Sequence, residues 1–134
     1  VWVTTPWEIF TSTDAGQNWR GLGVHEQFRL GYCRAVALKA DDPNFVLAAT
    51  GDTFGGESGS LHRSRDAGET WETVPLPIEP NSPMWALATN AADPDVILGA
   101  SCYGQIVASE DGGESWRKVR REFSEVHTMA GIPN

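Results

Sequence analysis

The sequence STDAGQNW at residues 12–19 returns as SRDAGETW at 64–71 and as SEDGGESW at 109–116. The three octapeptides share the pattern S-x-D-x-G-x-x-W and begin 52 and 45 residues apart. A pattern that recurs at intervals of this size indicates a repeat architecture, in which each copy is one structural unit. The repeat as a whole, and no single residue, therefore indicates the fold.

The sequence around the octapeptides is repeated as well. RAVALKADDPNFVLAAT at 34–50 aligns without a gap with WALATNAADPDVILGAS at 85–101. In both copies two short apolar runs flank an Asp-Pro turn, which is typical of two strands joined by a tight connection. A third apolar run precedes each octapeptide and a fourth strand begins at its Trp. Each repeat is therefore predicted to form one antiparallel sheet of four strands.

Each octapeptide falls in the turn between the third and fourth strands of its repeat. Its Asp can accept hydrogen bonds from backbone N–H groups of the turn, and its Gly suits a backbone with positive φ. Its Trp can bury roughly 150–250 Å² between neighbouring sheets. We interpret all of these residues as structural rather than catalytic: Ser12, Asp14, Gly16, Trp19, Ser64, Asp66, Gly68, Trp71, Ser109, Asp111, Gly113 and Trp116.

The pattern S-x-D-x-G-x-x-W resembles the Asp-box, or BNR repeat, of β-propellers such as sialidases, sortilin-type receptors and photosystem II assembly factors. With their matching strands, the three copies cover essentially the whole chain. The resemblance implies an all-β fold made of about three four-stranded propeller blades. It implies no particular activity, because Asp-boxes occur in enzymes and in proteins without catalysis.

The repeats predict a single, partial propeller domain over residues 1–134. VWVTTPWEIFTS at 1–12 aligns with LGASCYGQIVAS at 98–109, so the first blade is expected to lack its first strand. HTMAGIPN at 127–134 matches WALATNAA, a first strand without followers. The predicted parts are 1–33 (strands two to four of a split blade and its exit loop), 34–83 (a blade), 84–125 (a blade) and 126–134 (the first strand that completes the split blade).

Three blades do not close a ring, since propellers typically have four to eight. Two apolar sheet faces would then lie open to water, a larger patch than soluble monomers usually expose. Either a longer propeller supplies the remaining blades, or two copies associate. We expect a homodimer in which each C-terminal strand completes the split blade of the other copy, which gives six blades.

Composition excludes several classes of partner and site. The net charge of −8 argues against a nucleic-acid ligand, and the longest apolar runs are far too short to span a membrane. No motif predicts a cofactor, and His25, His62 and His127 lack the spacing of metal ligands. Cys33 and Cys102 are expected to be free thiols. The sequence predicts no cellular compartment.

Chain direction places the Asp-boxes and the Asp-Pro turns on one rim of the propeller. The opposite rim, where propellers usually bind ligands, receives aromatic rings mixed with carboxylates and arginines, including Trp7 and Phe54. Such a surface suits a glycan or a peptide. Arg34, Trp85 and His127 hold equivalent positions at the start of the innermost strand. The candidate ligand-binding residues are Arg29, Tyr32, Arg34, Asp52, Trp85, Tyr103 and His127.

Two functions are compatible with these residues. Resemblance to sialidases implies a cluster of three arginines, a tyrosine nucleophile paired with a glutamate, and an aspartate as acid/base. On the expected rim this chain has only Arg29 and Arg34, and no spacing distinguishes the catalytic candidates Tyr32, Tyr103, Glu26 and Asp52. We therefore expect a non-catalytic propeller that binds a ligand on this rim, with a sialidase-like glycoside hydrolase as the alternative.

Overall fold

The computed structural model describes residues 1–131, which form eleven strands and one short helix. The strands are β1 (Trp2–Thr4), β2 (Ile9–Thr11), β3 (Arg20–Gly21), β4 (Tyr32–Lys39), β5 (Asp42–Gly51), β6 (Gly59–Ser64), β7 (Glu72–Thr73), β8 (Met84–Thr89), β9 (Ile97–Ser101), β10 (Ile106–Ser109) and β11 (Arg117–Lys118), and the helix is α1 (Val24–Gln27).

The strands form three antiparallel sheets, which we call blades 1, 2 and 3. Blade 1 has the order β1-β2-β3, blade 2 the order β4-β5-β6-β7, and blade 3 the order β8-β9-β10-β11. Each strand thus pairs with the next strand along the chain, as the repeat predicts. The all-β architecture is as expected. Blade 1 has three strands, and none of them corresponds to the first strands β4 and β8 of the other two blades.

Two apolar cores lie between the blades. The core between blades 2 and 3 contains Phe45, Leu47, Ala49, Leu61, Val74, Met84, Ile97 and Val107. The core between blades 1 and 2 contains Ile9, Leu22, Val24, Phe28, Cys33 and Ala48, with Trp2 and Trp71 packed against it. Alternate residues of β5 serve the two cores, because successive side chains of a strand point to opposite faces. Both cysteines are buried free thiols, as predicted.

A buried histidine forms part of the packing between blades 1 and 2. The ring of His62 stacks on Phe28, with ring centroids 3.9 Å apart and planes 2° from parallel. Burial lowers the pKa of His62 to about 4, so the ring is neutral at pH 7. We infer a packing role for His62.

The three Asp-boxes have the same hydrogen-bond pattern. In the box of blade 2, the Asp66 carboxylate accepts from the Ser64 hydroxyl (2.8 Å), the Thr70 amide (2.8 Å) and the Thr70 hydroxyl (2.6 Å). The Gly68 amide donates to Ser64 Oγ (2.8 Å), and Trp71 Nε1 donates to the Gly68 carbonyl (3.1 Å). The turn is therefore closed by its own side chains, as the spacing predicts.

The sequence pattern missed one participant in this network, the residue just before the Trp. Asn18, Thr70 and Ser115 occupy this position, and each donates both its amide and its side chain to the Asp of its box. A small polar donor stands there in all three copies, a signal that was available in the sequence. It belongs to the motif.

These hydrogen bonds stabilise the ionised form of each Asp carboxyl group and so lower its pKa. The pKa values of Asp14, Asp66 and Asp111 are lowered to about 2 from an ordinary value of 3.8, mainly by Asn18, Thr70 and Ser115 respectively. Because the folded pKa lies below the unfolded one, the carboxylates stabilise the fold above pH 3.8. That contribution is lost as the pH falls from 3.8 to about 2.

We expect the change Thr70→Val to bring the pKa of Asp66 back towards its ordinary value, because it removes the hydroxyl donor and keeps the side-chain shape. Asp14 and Asp111 serve as internal controls and should titrate as in the wild type. A carboxyl NMR titration measures all three. An unchanged Asp66 would contradict the assigned network.

Trp19 departs from the expected burial. Trp71 and Trp116 pack against the two cores, whereas Trp19 is 44% exposed on blade 1. Each Asp-box Trp faces the preceding blade, and within residues 1–131 no blade precedes blade 1.

The ends of the blades contain two features that the sequence did not specify. Helix α1 follows β3, and the Glu8 carboxylate accepts hydrogen bonds from the amides of Gly23 (3.1 Å) and Val24 (3.3 Å) at its start. Residues 126–131 belong to no strand, and 132–134 lie outside the described residues. The completing strand at 126–134 stays a prediction.

No helix in the described part of the chain is long and apolar enough to cross a bilayer.

Candidate ligand-binding rim

The turns of the blades sort onto two rims. The Ala67 amide of one Asp-box donates to the Asn44 carbonyl (2.9 Å), and the Gly112 amide of another donates to the Asp95 carbonyl (3.0 Å). The Asp-boxes and the Asp-Pro turns therefore share one rim. The β1–β2, β5–β6 and β9–β10 loops lie at the opposite ends of these strands. We call the rim that these loops form the upper rim.

Arg34 and Trp85 start the innermost strands β4 and β8, and both lie at irregularities in strand register. The pairing of β4 with β5 shifts between Cys33 and Ala35, and that of β8 with β9 shifts between Met84 and Ala86. A β-bulge redirects the side chain that it carries. The same irregularity thus places both residues at the upper rim.

The two side chains stack on each other. The guanidinium carbon of Arg34 lies 3.7 Å from the ring centroid of Trp85 and 5.8 Å from that of Tyr32. An arginine over an indole ring is an attractive cation–π arrangement. The structure therefore brings together three of the residues selected from the sequence.

The guanidinium of Arg34 is not neutralised by the described part of the chain. Its Nε is buried and has no hydrogen-bond partner there, and none of the ion pairs of residues 1–131 includes it. Buried polar groups normally have partners, and an exception requires an explanation. A positively charged donor is thus available at the upper rim.

Each blade presents one exposed aromatic ring from the loop before the strand that leads into its Asp-box, which is the β1–β2 loop in blade 1, the β5–β6 loop in blade 2 and the β9–β10 loop in blade 3. Trp7 of blade 1 is 63% exposed, Phe54 of blade 2 is 73% exposed and Tyr103 of blade 3 is 44% exposed. Trp7 stacks on His25 with centroids 5.9 Å apart, and the ring of Phe54 meets Trp85 edge-on at 5.8 Å. Large aromatic rings are thus exposed in equivalent loops of all three blades.

The carboxylate of Asp52 is committed to its own loop. It accepts hydrogen bonds from the amides of Thr53 (3.0 Å), Glu57 (3.1 Å) and Ser58 (3.3 Å). Burial raises its pKa, but these bonds outweigh burial and the net pKa lies below the ordinary value. Asp52 therefore orders the glycine-rich loop that carries Phe54, and as a carboxylate it is a poor general acid at neutral pH.

Two of the selected residues lie apart from this cluster. Arg29 lines a separate groove of about 480 Å³ with Pro75, Glu79 and Pro80. His127 is exposed, and its Nε2 lies 3.4 Å from Glu125. Residues 1–131 contain no cluster of three or more His, Cys, Asp or Glu side chains placed to hold a metal ion.

Comparison with known proteins confirms the propeller fold. A family model described as Sortilin, neurotensin receptor 3 (Sortilin-Vps10) matches residues 7–131. The xyloglucanase Xgh74A of Acetivibrio thermocellus is 33% identical over an alignment of 110 residues, and the alignment covers 75% of this chain and 13% of that protein.

Solved structures agree. The crystal structure of an ancestral GH74 enzyme superposes with a TM-score of 0.70 at 19% identity, over 92% of this chain and 17% of the other. The structure of YCF48 bound to D1 peptide gives a TM-score of 0.61 at 21% identity, over 98% of this chain and 39% of the other. At these identities the likeness shows the fold alone. The chain spans only a minor part of each of these proteins.

Proposed function

The chain belongs to the Sortilin-Vps10 family, and on this premise we propose that it is a propeller segment that binds a carbohydrate chain at its upper rim without cleaving it. The single observation that carries the proposal is the exposed aromatic ring in the same loop of every blade. The proposal concerns this segment only, because the chain spans 13% of the xyloglucanase to which it is similar.

Aromatic rings suit the faces of sugar rings, whose C–H groups are apolar while their edges carry hydroxyls. Rings on loops that are ordered by their own hydrogen bonds lose little conformational freedom on binding. Trp7, Phe54 and Tyr103 belong to three successive blades, so an extended chain that runs along the rim can contact more than one of them. Similarity to an enzyme named for xyloglucan supports a polysaccharide as the ligand.

Arg34 and Trp85 supply the polar part of the proposed site. The stacked guanidinium holds the indole ring in place and retains N–H groups that can donate to sugar hydroxyls. Such donors fix the orientation of a ligand that is otherwise held by apolar contact. The lack of an ion-pair partner for Arg34 among residues 1–131 supports this role.

The carboxylates near the rim support binding rather than hydrolysis. Glycoside hydrolysis typically requires two carboxyl groups, one of which can act as an acid. Asp52 and Glu8 have their oxygens occupied by backbone amides, and Tyr32 is buried. The occupied oxygens of Asp52 and the burial of Tyr32, two of the catalytic candidates, therefore support binding without hydrolysis.

The double change Phe54→Leu and Tyr103→Leu is expected to weaken binding of a xyloglucan oligosaccharide about fivefold or more, since each aromatic contact contributes about 0.5–1.5 kcal/mol beyond its buried area. Isothermal titration calorimetry gives the affinity. Both rings are exposed, so the fold should not be affected.

The matched control keeps the rings. The double change Phe54→Tyr and Tyr103→Phe should bind as the wild type does. Absence of oligosaccharide binding by the wild type would contradict the proposal, and so would equal affinities of the two double variants. Release of reducing sugar from xyloglucan, or turnover of a fluorogenic sialoside, would contradict the non-catalytic half.

A further inference from the structure

The junction between blades 2 and 3 carries three aromatic rings at the upper rim. The ring of Phe54 meets the ring of Trp85 edge-on, with centroids 5.8 Å apart. A Cβ added to Gly55 would lie 3.9 Å from the Tyr103 hydroxyl, so the tip of the β5–β6 loop reaches the ring of blade 3. We call Phe54, Trp85 and Tyr103 the ring platform. Both blades of this junction belong to residues 1–131, so the platform depends on no residue outside the described chain.

The loop that carries Phe54 is wrapped around the carboxylate of Asp52. This carboxylate accepts hydrogen bonds from amides on both sides of the ring, those of Thr53, Glu57 and Ser58. Gly56 lies against the same group, and a Cβ added there would overlap Asp52 Oδ1. One side chain thus fixes the course of the backbone before and after Phe54.

The loop that carries Tyr103 is held by Asn81, which lies on the connection between β7 and β8. Asn81 Oδ1 accepts from the Ser101 hydroxyl (2.8 Å), and its Nδ2 donates to the Tyr103 carbonyl (3.3 Å). The Asn81 amide donates to the Gln105 side-chain oxygen (2.9 Å), and the neighbouring Ser82 hydroxyl accepts from the Tyr103 amide (3.0 Å). Asn81 therefore binds the loop before the ring, at the ring and after it.

Asp52 and Asn81 act on the rings, because their polar atoms are used inside the protein. A ring that is held in place before the ligand arrives loses less conformational freedom on binding. Immobilising one flexible side chain weakens binding by about two- to tenfold. Side chains that fix the two loops in the free protein remove this cost from the binding step.

We propose that Asp52 and Asn81 are positioning residues, which hold Phe54 and Tyr103 beside Trp85 so that a carbohydrate chain binds across the junction of blades 2 and 3. This inference rests on the proposed function and deepens it, since it names the part of the rim that the ligand covers. Asp52 was selected from the sequence as a ligand contact, and here it acts through Phe54.

The change Gly56→Ala tests the role of Asp52 without altering a ring or the net charge. The methyl group displaces the carboxylate from its amides, and the affinity for a xyloglucan oligosaccharide should fall about two- to tenfold in isothermal titration calorimetry. In a Phe54→Leu background the same change should have no further effect, because a positioning residue acts only through its ring. In the free protein, the nuclear Overhauser contact between the rings of Phe54 and Trp85 should be lost.

The change Gly55→Ala is the matched control. Gly55 has a φ of 65°, close to the values of 57° and 56° that Ala15 and Ala67 already adopt. A Cβ at this position approaches only the Tyr103 hydroxyl and does not reach the Asp52 carboxylate. This variant should keep the contact between the rings and bind as the wild type does.

The change Asn81→Ala tests the second positioning residue, whose exposure makes an effect on the fold small. Binding should again weaken about two- to tenfold, with no further effect in a Tyr103→Leu background. Asn90→Ala is its control, because Asn90 caps a turn of blade 3 at the opposite rim, where its Oδ1 accepts from the Ala92 amide (3.0 Å). The control should bind as the wild type does.

Wild-type affinity in Gly56→Ala or in Asn81→Ala would overturn the role of the residue concerned. A loss that persists in the leucine backgrounds would do the same, because it would show an effect that does not pass through the ring. Survival of the contact between Phe54 and Trp85 in Gly56→Ala would also overturn the role of Asp52. A wild-type chain that binds no oligosaccharide contradicts the proposed function, whereas normal binding by the wild type and by both variants contradicts the positioning roles alone.

Discussion

The change Gly113→Ala is expected to destabilise the protein by about 2–4 kcal/mol, the sum of a left-handed backbone cost and of overpacking. Gly113 has a φ of 92°, a conformation that a residue with a Cβ rarely adopts. The added methyl would also lie 2.9 Å from Phe45 Cζ and 3.5 Å from Ile97 Cδ1. Chemical denaturation at constant protein concentration measures the loss.

The adjacent change Gly112→Ala is the matched control, with an expected loss of about 1 kcal/mol, the low end of the left-handed backbone cost. The other two Asp-boxes already hold an alanine at this position, Ala15 with φ 57° and Ala67 with φ 56°. The methyl group would lie 3.0 Å from Lys39 Cε and 3.1 Å from Asp95 Oδ1, which are the ends of two side chains that can move. Equal losses for the two variants would contradict the claim that the Asp-box glycine is fixed by the neighbouring blade.

The sequence could predict the blades because their determinants are local. The Asp-box closes through bonds between residues at most four positions apart, such as Ser64 to Gly68 and Asp66 to Thr70. An octapeptide therefore contains its own geometry. The order of the strands follows as well, since each pairs with its neighbour along the chain.

The candidate site was harder to predict because it depends on contacts between blades. The stacking of Arg34 on Trp85 requires two strand irregularities and the distance between two blades, and none of these is encoded in a short stretch. Likewise, Asp52 was selected for its charge, but the fold of its loop uses that charge internally. Residue type and rim position identified candidates, and only three-dimensional contacts separated them.

Arg63 illustrates a contact that no motif revealed. It lies on β6, is buried, and links blades 2 and 3: its Nε is 2.7 Å from Glu72 and its Nη1 donates to the Gly113 carbonyl at 2.7 Å. Nη1 of Arg63 also lies 3.5 Å from Glu114. The neighbouring Arg65 is exposed and pairs with the same two carboxylates, since its Nη2 lies 2.6 Å from Glu114 and its Nε lies 3.6 Å from Glu72. Two arginines with shared partners thus differ chiefly in burial.

We expect Arg63→Met to cost about 1.5–3 kcal/mol, because it removes the charge-assisted bonds of a buried guanidinium to Glu72 and to the Gly113 carbonyl, which keeps Trp116 Nε1 as its donor. Methionine retains most of the volume of the arginine side chain. Arg65→Met should cost at most about 1 kcal/mol, since exposed ion pairs contribute little. The hydrogen bond and charge of Arg63 also lower the pKa of Glu72, so this carboxylate stabilises the fold above its unfolded pKa and loses that effect as the pH falls. The acid dependence due to Glu72 should accordingly shrink in Arg63→Met. Denaturation curves of both variants at neutral and acidic pH measure these effects, and equal losses for the two arginines would show that burial does not decide their contributions.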